Sequence, residues 1–282
     1  MPLISYAGQR IALLTQHGKE RVIAPVLDPV LHCRIERIDG YDTDQLGTFT
    51  RDIPRVGTQI EAARKKARIG MELSGLPLGL ASEGAFGPDP MTGMFPWNVE
   101  CLVLIDDIND LEIVGIAQGA TQQGHLLASN WVATEAFARK MGFPTQHLVV
   151  RPDNKNNPSF RKGIACWQEL EKAFQWAVAE SVSKQVFLEV DLRACCNPPR
   201  MSMIRQAAED LLARLQCNCP ACGIPGFALI ERTPGLPCKE CDAPTHEYRA
   251  EVFGCLKCGH RLTKKRIEPE FADPGRCPLC NP

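Results

Sequence analysis

Near its C-terminus the chain reads Cys219-Pro-Ala-Cys222, Cys238-Lys-Glu-Cys241, Cys255-Leu-Lys-Cys258 and Cys277-Pro-Leu-Cys280. Two intervening residues allow one tight turn to direct both sulfurs of a pair at the same metal ion. Eight thiols in four such pairs predict two tetrahedral zinc sites, each with four thiolates. Four thiolates leave no position for water, so we expect both zinc ions to be structural.

The spacing is compatible with three ways of sharing the metals. Sequential pairing joins the first cysteine pair with the second and the third with the fourth. Nested pairing joins the two middle pairs and the two outer ones. Crossed pairing joins the first pair with the third and the second with the fourth. Residues 252–264, which read as strand, cysteine turn and strand, resemble a zinc ribbon. The alternative to zinc is a disulfide scaffold, which is typical of small secreted domains.

The first ten residues lack the basic and apolar segments of a signal peptide, and no apolar run reaches membrane-spanning length. We therefore expect a cytoplasmic protein without a membrane partner, in a compartment that keeps thiols reduced. The net charge is −1, which excludes a strong overall attraction to nucleic acid. Residues 260–266 form a basic strip, which indicates either a solvated strand or an edge that contacts phosphates.

A chain of 282 residues, 44% of them hydrophobic, can hold one sizeable domain and a small second one. Residues 1–216 read as strands that alternate with helices, and from Cys217 the composition changes to Cys, Pro and Gly. We predict an α/β domain in residues 1–216, with a layered mixed sheet flanked by helices. We predict a small zinc-ribbon-like domain with two four-cysteine sites in residues 217–282.

Three segments of the first domain carry candidate functional residues. Gly18 and Lys19 follow an apolar strand, where backbone amides at a helix start and one lysine can bind phosphate. A helix that begins with a capping box at Thr58 carries Lys66. The strand of residues 77–81 is predicted to end in a turn, Ser82-Glu83-Gly84, which places Glu83 where α/β folds bind ligands. Taken singly, each also fits an ordinary exposed turn or helix face.

In this order, the three segments resemble the inosine-triphosphate pyrophosphatase superfamily, hydrolases of non-standard purine triphosphates. The superfamily has a phosphate-binding lysine after its first strand, the place of Lys19. Its capped helix carries Thr-x-x-Glu-x-Ala-x-x-Lys-Ala, and its next strand leads from Gly-Leu-Pro to an acidic turn, the place of Glu83. The matching residues of the helix and strand are Thr58, Glu61, Ala63, Lys66, Ala67, Gly75, Leu76 and Pro77.

The chain departs from this pattern at three places. Ala62 stands where the superfamily has Asn, Ser82-Glu83-Gly84 replaces Asp-Asp-Ser-Gly, and the late Ser-His-Arg motif is missing, with Arg193 and Arg200 its loose positional candidates. The whole layout, with four cysteine pairs after the first domain, also resembles an uncharacterised bacterial protein family.

The resemblance implies Mg²⁺-dependent attack of water on a nucleotide phosphate. Glu83 would be a magnesium ligand or the general base, and Lys19 and Lys66 would neutralise the charge of the phosphates. Further oxygen ligands could come from a loop after the second strand, although two aspartates in a loop are also ordinary turn residues. The candidate substrate-binding or magnesium-binding residues are Asp42, Asp44, Glu61 and Gly18.

The alternative hypothesis is a protein that binds without catalysis. A related fold would hold a nucleotide, and the zinc ribbons would bind nucleic acid or a protein partner. Ala62 and Ser82 favour binding, whereas Lys19, Lys66 and Glu83 favour hydrolysis. Salt-dependent retention on nucleic acid, which the basic strip predicts, would favour the binding hypothesis.

Overall fold

The computed structural model describes residues 4–46 and 57–282. The fold is mixed α/β, as predicted, and the C-terminal region carries two groups of four cysteines. The chain divides into two compact units, one formed by Tyr6–Leu211 and one that contains Leu212–Pro282. The domain boundary after residue 216 stays a prediction.

The first sheet of the larger unit has five strands in the spatial order β2-β1-β3-β4-β5. β1 pairs with β2 and β3 in parallel, whereas β3, β4 and β5 form an antiparallel meander. In the sequence, two apolar runs, residues 99–105 and 111–116, flank the polar residues 106–110, which predicts a hairpin, and β4 and β5 form it. The strand bounds are β1 Arg10–Leu14, β2 Arg34–Ile38, β3 Leu78–Pro88, β4 Pro96–Asp106 and β5 Leu111–Ala120.

The turn predicted at Ser82-Glu83-Gly84 is wrong, because these residues lie in the middle of β3. This strand pairs with β4 without interruption, from Leu78 opposite Asp106 to Pro88 opposite Pro96. The long ladder satisfies the backbone of a segment that, taken locally, resembles a turn. β1 ends at Leu14, so the second half of β3 extends beyond it and lies near the segment that follows β1.

Two helices cover opposite faces of this sheet. α2, Gln59–Ser74, packs closely on one face, since a Cβ on Gly70 would lie 3.3 Å from the side chain of Leu14. α5, Pro198–Gln216, packs on the other face, where a Cβ on Gly115 would lie 2.5 Å from the backbone nitrogen of Leu211. α1, Glu20–Leu31, connects β1 to β2.

The second sheet of the larger unit is antiparallel, with the order β6-β9-β7-β8. Its core includes Leu148, Leu170 and Leu188, which are fully buried. In the described ranges, no helix is long and apolar enough to cross a membrane. The elements are β6 His125–Ala128, α3 Trp131–Lys140, β7 Leu148–Pro152, β8 Arg161–Ile164, α4 Trp167–Glu180 and β9 Val186–Val190.

The C-terminal unit contains a three-stranded antiparallel sheet in chain order. Its strands are β10 Ala228–Pro234, β11 Tyr248–Gly254 and β12 Arg261–Lys265. The Cys255–Cys258 turn connects β11 to β12, which is the strand–turn–strand arrangement predicted for residues 252–264. All five residues of β12 are exposed.

Candidate functional site

Lys19 lies at the turn between β1 and α1, directly after the carboxyl end of a parallel strand. Gly18 allows the turn because its φ of +67° is unfavourable for residues with a Cβ. Lys19 is buried, and its Nζ donates to the carbonyl oxygen of Ser82 at 3.0 Å and to the Ser82 hydroxyl at 2.9 Å. The ammonium group is therefore held against the middle of β3.

The surroundings of Lys19 disfavour its charged form. Burial, together with the nearby cations Arg200 and Lys66, lowers the pKa of Lys19 to about 7, while Glu83 and Glu100 oppose the shift. Burial removes the water that would stabilise an ammonium ion, and like charges add to that cost. A phosphate group beside Lys19 would supply the negative charge that the ammonium needs.

Lys66 and Glu83 form an ion pair between α2 and β3. Both side chains are largely shielded, with 12% and 8% of their surface exposed. Gln59, in the first turn of α2, donates from Nε2 to the carbonyl oxygens of Glu83 at 2.5 Å and Val99 at 2.8 Å. These bonds fix the start of α2 over β3 and β4, and so position the pair.

Glu100 and Arg200 form a second pair that is almost completely buried. Arg200 Nε lies 2.7 Å from Glu100 Oε1, which also accepts from Asn98 at 3.2 Å. Arg200 Nη1 donates to the carbonyl oxygen of Leu192 at 2.6 Å. In the described part of the chain, Glu100 Oε2 is buried and has no hydrogen-bond partner. This oxygen could accept a proton donor or a cation.

The start of α5 explains how Arg200 reaches the sheet. Asn197 Oδ1 accepts the backbone N–H of Arg200 at 3.1 Å, and Pro198 and Pro199 occupy the two positions between them. Proline suits the first turn of a helix, where its missing N–H costs little. A cation in the first turn opposes the helix dipole, so Arg200 depends on Glu100 for compensation.

Gly84 shows why β3 lacks a side chain at this point. It lies directly opposite Glu100, and a Cβ added to it would lie 2.6 Å from Arg200 Nη2 and 2.8 Å from Glu100 Cδ. The glycine therefore provides the space for the buried pair, and it does so within a strand rather than a turn.

We call five residues the ion cluster. Each of the last four interacts electrostatically with the first, and all are buried except Lys66, which is partly exposed. The five residues are Lys19, Lys66, Glu83, Glu100 and Arg200. With every group ionised, the cluster has one excess positive charge. Such an arrangement can bind an anion, and its two carboxylates offer the oxygen ligands that Mg²⁺ prefers.

The remaining candidates from the sequence lie apart from these contacts. Glu61 is the carboxylate of the capping box, where its Oε2 accepts the N–H of Thr58 at 2.7 Å. This bond to the Thr58 backbone lowers the pKa of Glu61. Asp42 is exposed, and the Asp44 side chain lies outside the described residues. Gln16 bonds to Tyr41 and Thr43, which holds this loop beside the β1–α1 turn.

Sequence reasoning missed Glu100 and placed Arg200 only loosely. A signal for Glu100 exists, since it interrupts the apolar run WNVECLVLI of β4, where a buried strand is expected to carry apolar residues. Arg200 gives no comparable signal, because arginine in the first turn of a helix is usually exposed.

The cysteine pairs combine in the crossed manner. Within each group, the four sulfurs lie within 4.8 Å of one another. Individual Sγ–Sγ distances are 3.7 Å for Cys219–Cys258 and 3.8 Å for Cys238–Cys280. The groups are Cys219, Cys222, Cys255 and Cys258, and Cys238, Cys241, Cys277 and Cys280.

These distances fit a tetrahedral metal site. A tetrahedron with metal–sulfur bonds of about 2.3 Å separates its sulfurs by about 3.8 Å. All fourteen cysteines are free thiols, which excludes the disulfide scaffold in this structure. Each group could therefore hold a metal ion such as zinc, and among the described residues only these two bring together three or more metal-ligand atoms.

Residues 66–282 match the family described as Domain of unknown function (DUF6671). The chain belongs to this family. The matched region includes all eight metal-site cysteines and Lys66, Glu83, Glu100 and Arg200, whereas Lys19 precedes it. No curated protein matches the chain. The family description names no activity.

Proposed function

We propose that this protein is a Mg²⁺-dependent nucleotide phosphohydrolase, a pyrophosphatase-like enzyme, whose site is the ion cluster. The observation that carries the proposal is the concentration of three cations and two carboxylates beside the turn that follows β1, all of them buried except Lys66, whose side chain is 12% exposed. Phosphoryl transfer depends mainly on positioning and on neutralising phosphate charge, and a preorganised cluster of this kind supplies both.

The cations would bind the phosphate groups. Lys19 gains stabilisation from a phosphate because its pKa is lowered in the protein alone. Lys66 is paired with Glu83, and a phosphate could replace this carboxylate as the partner of the lysine. Arg200 stays anchored by Glu100 and by the carbonyl of Leu192, so it contributes a fixed positive charge near the substrate.

The carboxylates fit a magnesium ion. Oxygen ligands are those that Mg²⁺ prefers, and Glu100 Oε2 is a buried acceptor without a partner among the described residues. Glu83 would hold the ion, whereas Glu100 lies opposite Gly84, on the other face of β3, where it pairs with Arg200. Bound Mg²⁺ supplies charge neutralisation at the phosphate oxygens. Glu83, once released from Lys66, is also the group that could accept a proton from the attacking water.

A cavity of about 470 Å³ offers room for the rest of a nucleotide. Its lining includes Pro96 at the start of β4, His125, Glu189 and Leu192. Leu192 connects the cavity to the cluster, because its carbonyl accepts the hydrogen bond from Arg200. The volume lies in the range of small-molecule sites. We place the base and sugar in this cavity.

The two cysteine groups would hold structural zinc. The sulfur geometry fits Zn²⁺, and four thiolates saturate each ion. Zinc would stabilise the C-terminal unit, in which β12 presents exposed basic side chains at a sheet edge. This strand favours a second candidate function, the binding of nucleic acid by the C-terminal unit.

The test measures release of pyrophosphate and phosphate from standard and deaminated nucleotides, with and without Mg²⁺. We expect turnover that requires Mg²⁺ and that Glu83→Gln abolishes. The matched control is Glu112→Gln, because Glu112 also pairs with α2, through Arg64 at 2.6 Å, but is partly exposed outside the cluster. An unchanged rate in Glu83→Gln would remove Glu83 from the mechanism.

A folded, zinc-loaded protein that cleaves none of the nucleotides would overturn the hydrolase. Nucleic-acid binding that weakens with salt would then support the second candidate. The variant Lys264→Glu, on the exposed strand β12, should weaken that binding without altering nucleotide turnover.

A further inference from the structure

Cys195 and Cys196 lie in a short 3₁₀ turn, Ala194–Cys196, that leads into Asn197 and α5. Their sulfur atoms are 3.5 Å apart. The Cys195 Sγ also lies 3.8 Å from Nδ1 of His17, a residue 178 positions earlier on the β1–α1 turn. Cys195 is exposed, whereas Cys196 is buried. The fold therefore brings an accessible thiol, a second thiol and an imidazole into contact.

We propose that Cys195 and Cys196 form a peroxide-reactive thiol pair, in which Cys195 attacks the peroxide with the assistance of His17 and Cys196 resolves the product to a disulfide. This modification would occur whether or not the protein is a hydrolase. Among the described residues, these three side chains do not form one of the groups whose metal-ligand atoms all lie within 4.8 Å of one another.

The charges around the pair favour a thiolate at Cys195. The hydrogen bond from the Cys196 thiol and the contact with His17 lower the pKa of Cys195, and Arg193 adds to the shift. The same hydrogen bond raises the pKa of Cys196, with burial and Asp191 acting in the same direction. The exposed member is thus the nucleophile and the buried member the protonated partner, as expected for an attacking and a resolving cysteine.

The chemistry balances with a peroxide as oxidant. The Cys195 thiolate attacks one peroxide oxygen and the O–O bond breaks. The departing hydroxide, or alkoxide, takes the proton that the thiol had passed to His17, which leaves a sulfenic acid on Cys195. The Cys196 sulfur then attacks the Cys195 sulfur and loses its proton, and water leaves as the S–S bond forms. Hydrogen peroxide is thereby reduced to two waters while two thiols lose two hydrogens.

A disulfide between neighbouring residues is reversible for a geometric reason. Their Cα atoms are about 3.8 Å apart, below the usual range of about 4.4–6.8 Å for disulfides. The resulting strain makes the bond easy to reduce, which is typical of regulatory disulfides. The bond would also alter the turn just before Arg200, and so connects thiol oxidation to the ion cluster.

The experiment treats the zinc-loaded protein with hydrogen peroxide and follows the tryptic peptide of residues 194–200 by mass spectrometry. We expect this peptide to become lighter by two hydrogen atoms and to recover with dithiothreitol. In Cys196→Ser, a dimedone adduct should appear on Cys195, which marks the sulfenic acid. The internal control is Cys217, which is exposed and has no thiol or histidine contact in the described part of the chain.

His17→Asn tests the role of the imidazole. We expect it to slow oxidation of Cys195 at least tenfold at pH 6, where an ordinary thiol is protonated, and to leave Cys217 unchanged. The proposal is overturned if Cys195 reacts no faster than Cys217. It is also overturned if Cys196 is oxidised equally fast in Cys195→Ser, since the buried cysteine would then be the attacking thiol.

Discussion

Replacement of Arg200 by methionine should be among the most damaging changes in the larger unit. The side chains of Arg200 and Glu100 are 2% and 0% exposed, and Nε lies 2.7 Å from Oε1. Arg200→Met leaves the Glu100 carboxylate buried with only Asn98 as a hydrogen-bond donor among the described residues. Removing one partner of a buried pair costs about 3–5 kcal/mol, a large part of a typical folding free energy.

A second substitution separates the cost of the isolated charge from that of lost packing. Glu100→Gln, added to Arg200→Met, removes the uncompensated carboxylate while keeping an oxygen acceptor for Asn98. The Leu192 carbonyl still lacks its donor, which costs roughly 1–3 kcal/mol. The double variant should therefore be more stable than Arg200→Met alone, by about 2 kcal/mol.

Urea unfolding followed by tryptophan fluorescence measures these free energies. All four tryptophans, Trp97, Trp131, Trp167 and Trp176, belong to the larger unit, so the signal reports that unit. Arg205→Met is the matched control, because Arg205 pairs with Glu209 on the same helix but is 64% exposed. Its effect should stay within about 0.5 kcal/mol. The reasoning is refuted if Arg200→Met costs no more than this control, or if Glu100→Gln destabilises it further.

Three other changes test the rest of the structure. Removal of the metal with a chelator should make residues 212–282 sensitive to protease and leave tryptophan fluorescence unchanged, because structural zinc supplies folding free energy only where it binds. A folded tail after complete metal loss would contradict this. Gly84→Ala should lower the free energy of unfolding in urea by about 1–3 kcal/mol, since the added Cβ would lie 2.6 Å from Arg200 Nη2. An unchanged midpoint of the urea transition would show that the Arg200–Glu100 pair has room to move. The pKa of Lys19 is lowered from 10.5 to about 7, so the unfolded chain binds more protons between these values. The free energy of unfolding should therefore rise with pH across this range, by up to roughly 1.4 kcal/mol per unit, and Lys19→Met should flatten the slope.

The parts of the structure that the sequence predicts well depend on short spacings. Each cysteine pair needs only one local turn, and the capping box that joins Thr58 to Glu61 spans one helical turn. The hairpin of β4 and β5 follows from two apolar runs around a polar turn. In each case the interacting groups lie within a few residues of one another, so the pattern contains the whole interaction.

The parts that the sequence does not predict depend on distant partners. Arg200 and Glu100 are 100 positions apart, and Cys195 and His17 are 178 apart. The crossed combination of cysteine pairs likewise follows from the fold of the whole tail and not from any spacing. The sequence predicts a turn at Ser82-Glu83-Gly84 because these residues favour one locally, whereas the ladder with β4 decides their conformation.

The ion cluster is costly for a sheet whose buried residues are mostly apolar. Glu100 interrupts an apolar strand, Lys19 is buried with a lowered pKa, and Gly84 gives up a side chain to make room for the pair. Well-packed apolar residues in place of a buried ion pair are often as stable or more stable. A buried lysine with a lowered pKa, surrounded by other ionisable groups, is typical of functional sites. The cost to stability therefore supports the proposal that the cluster binds a charged ligand.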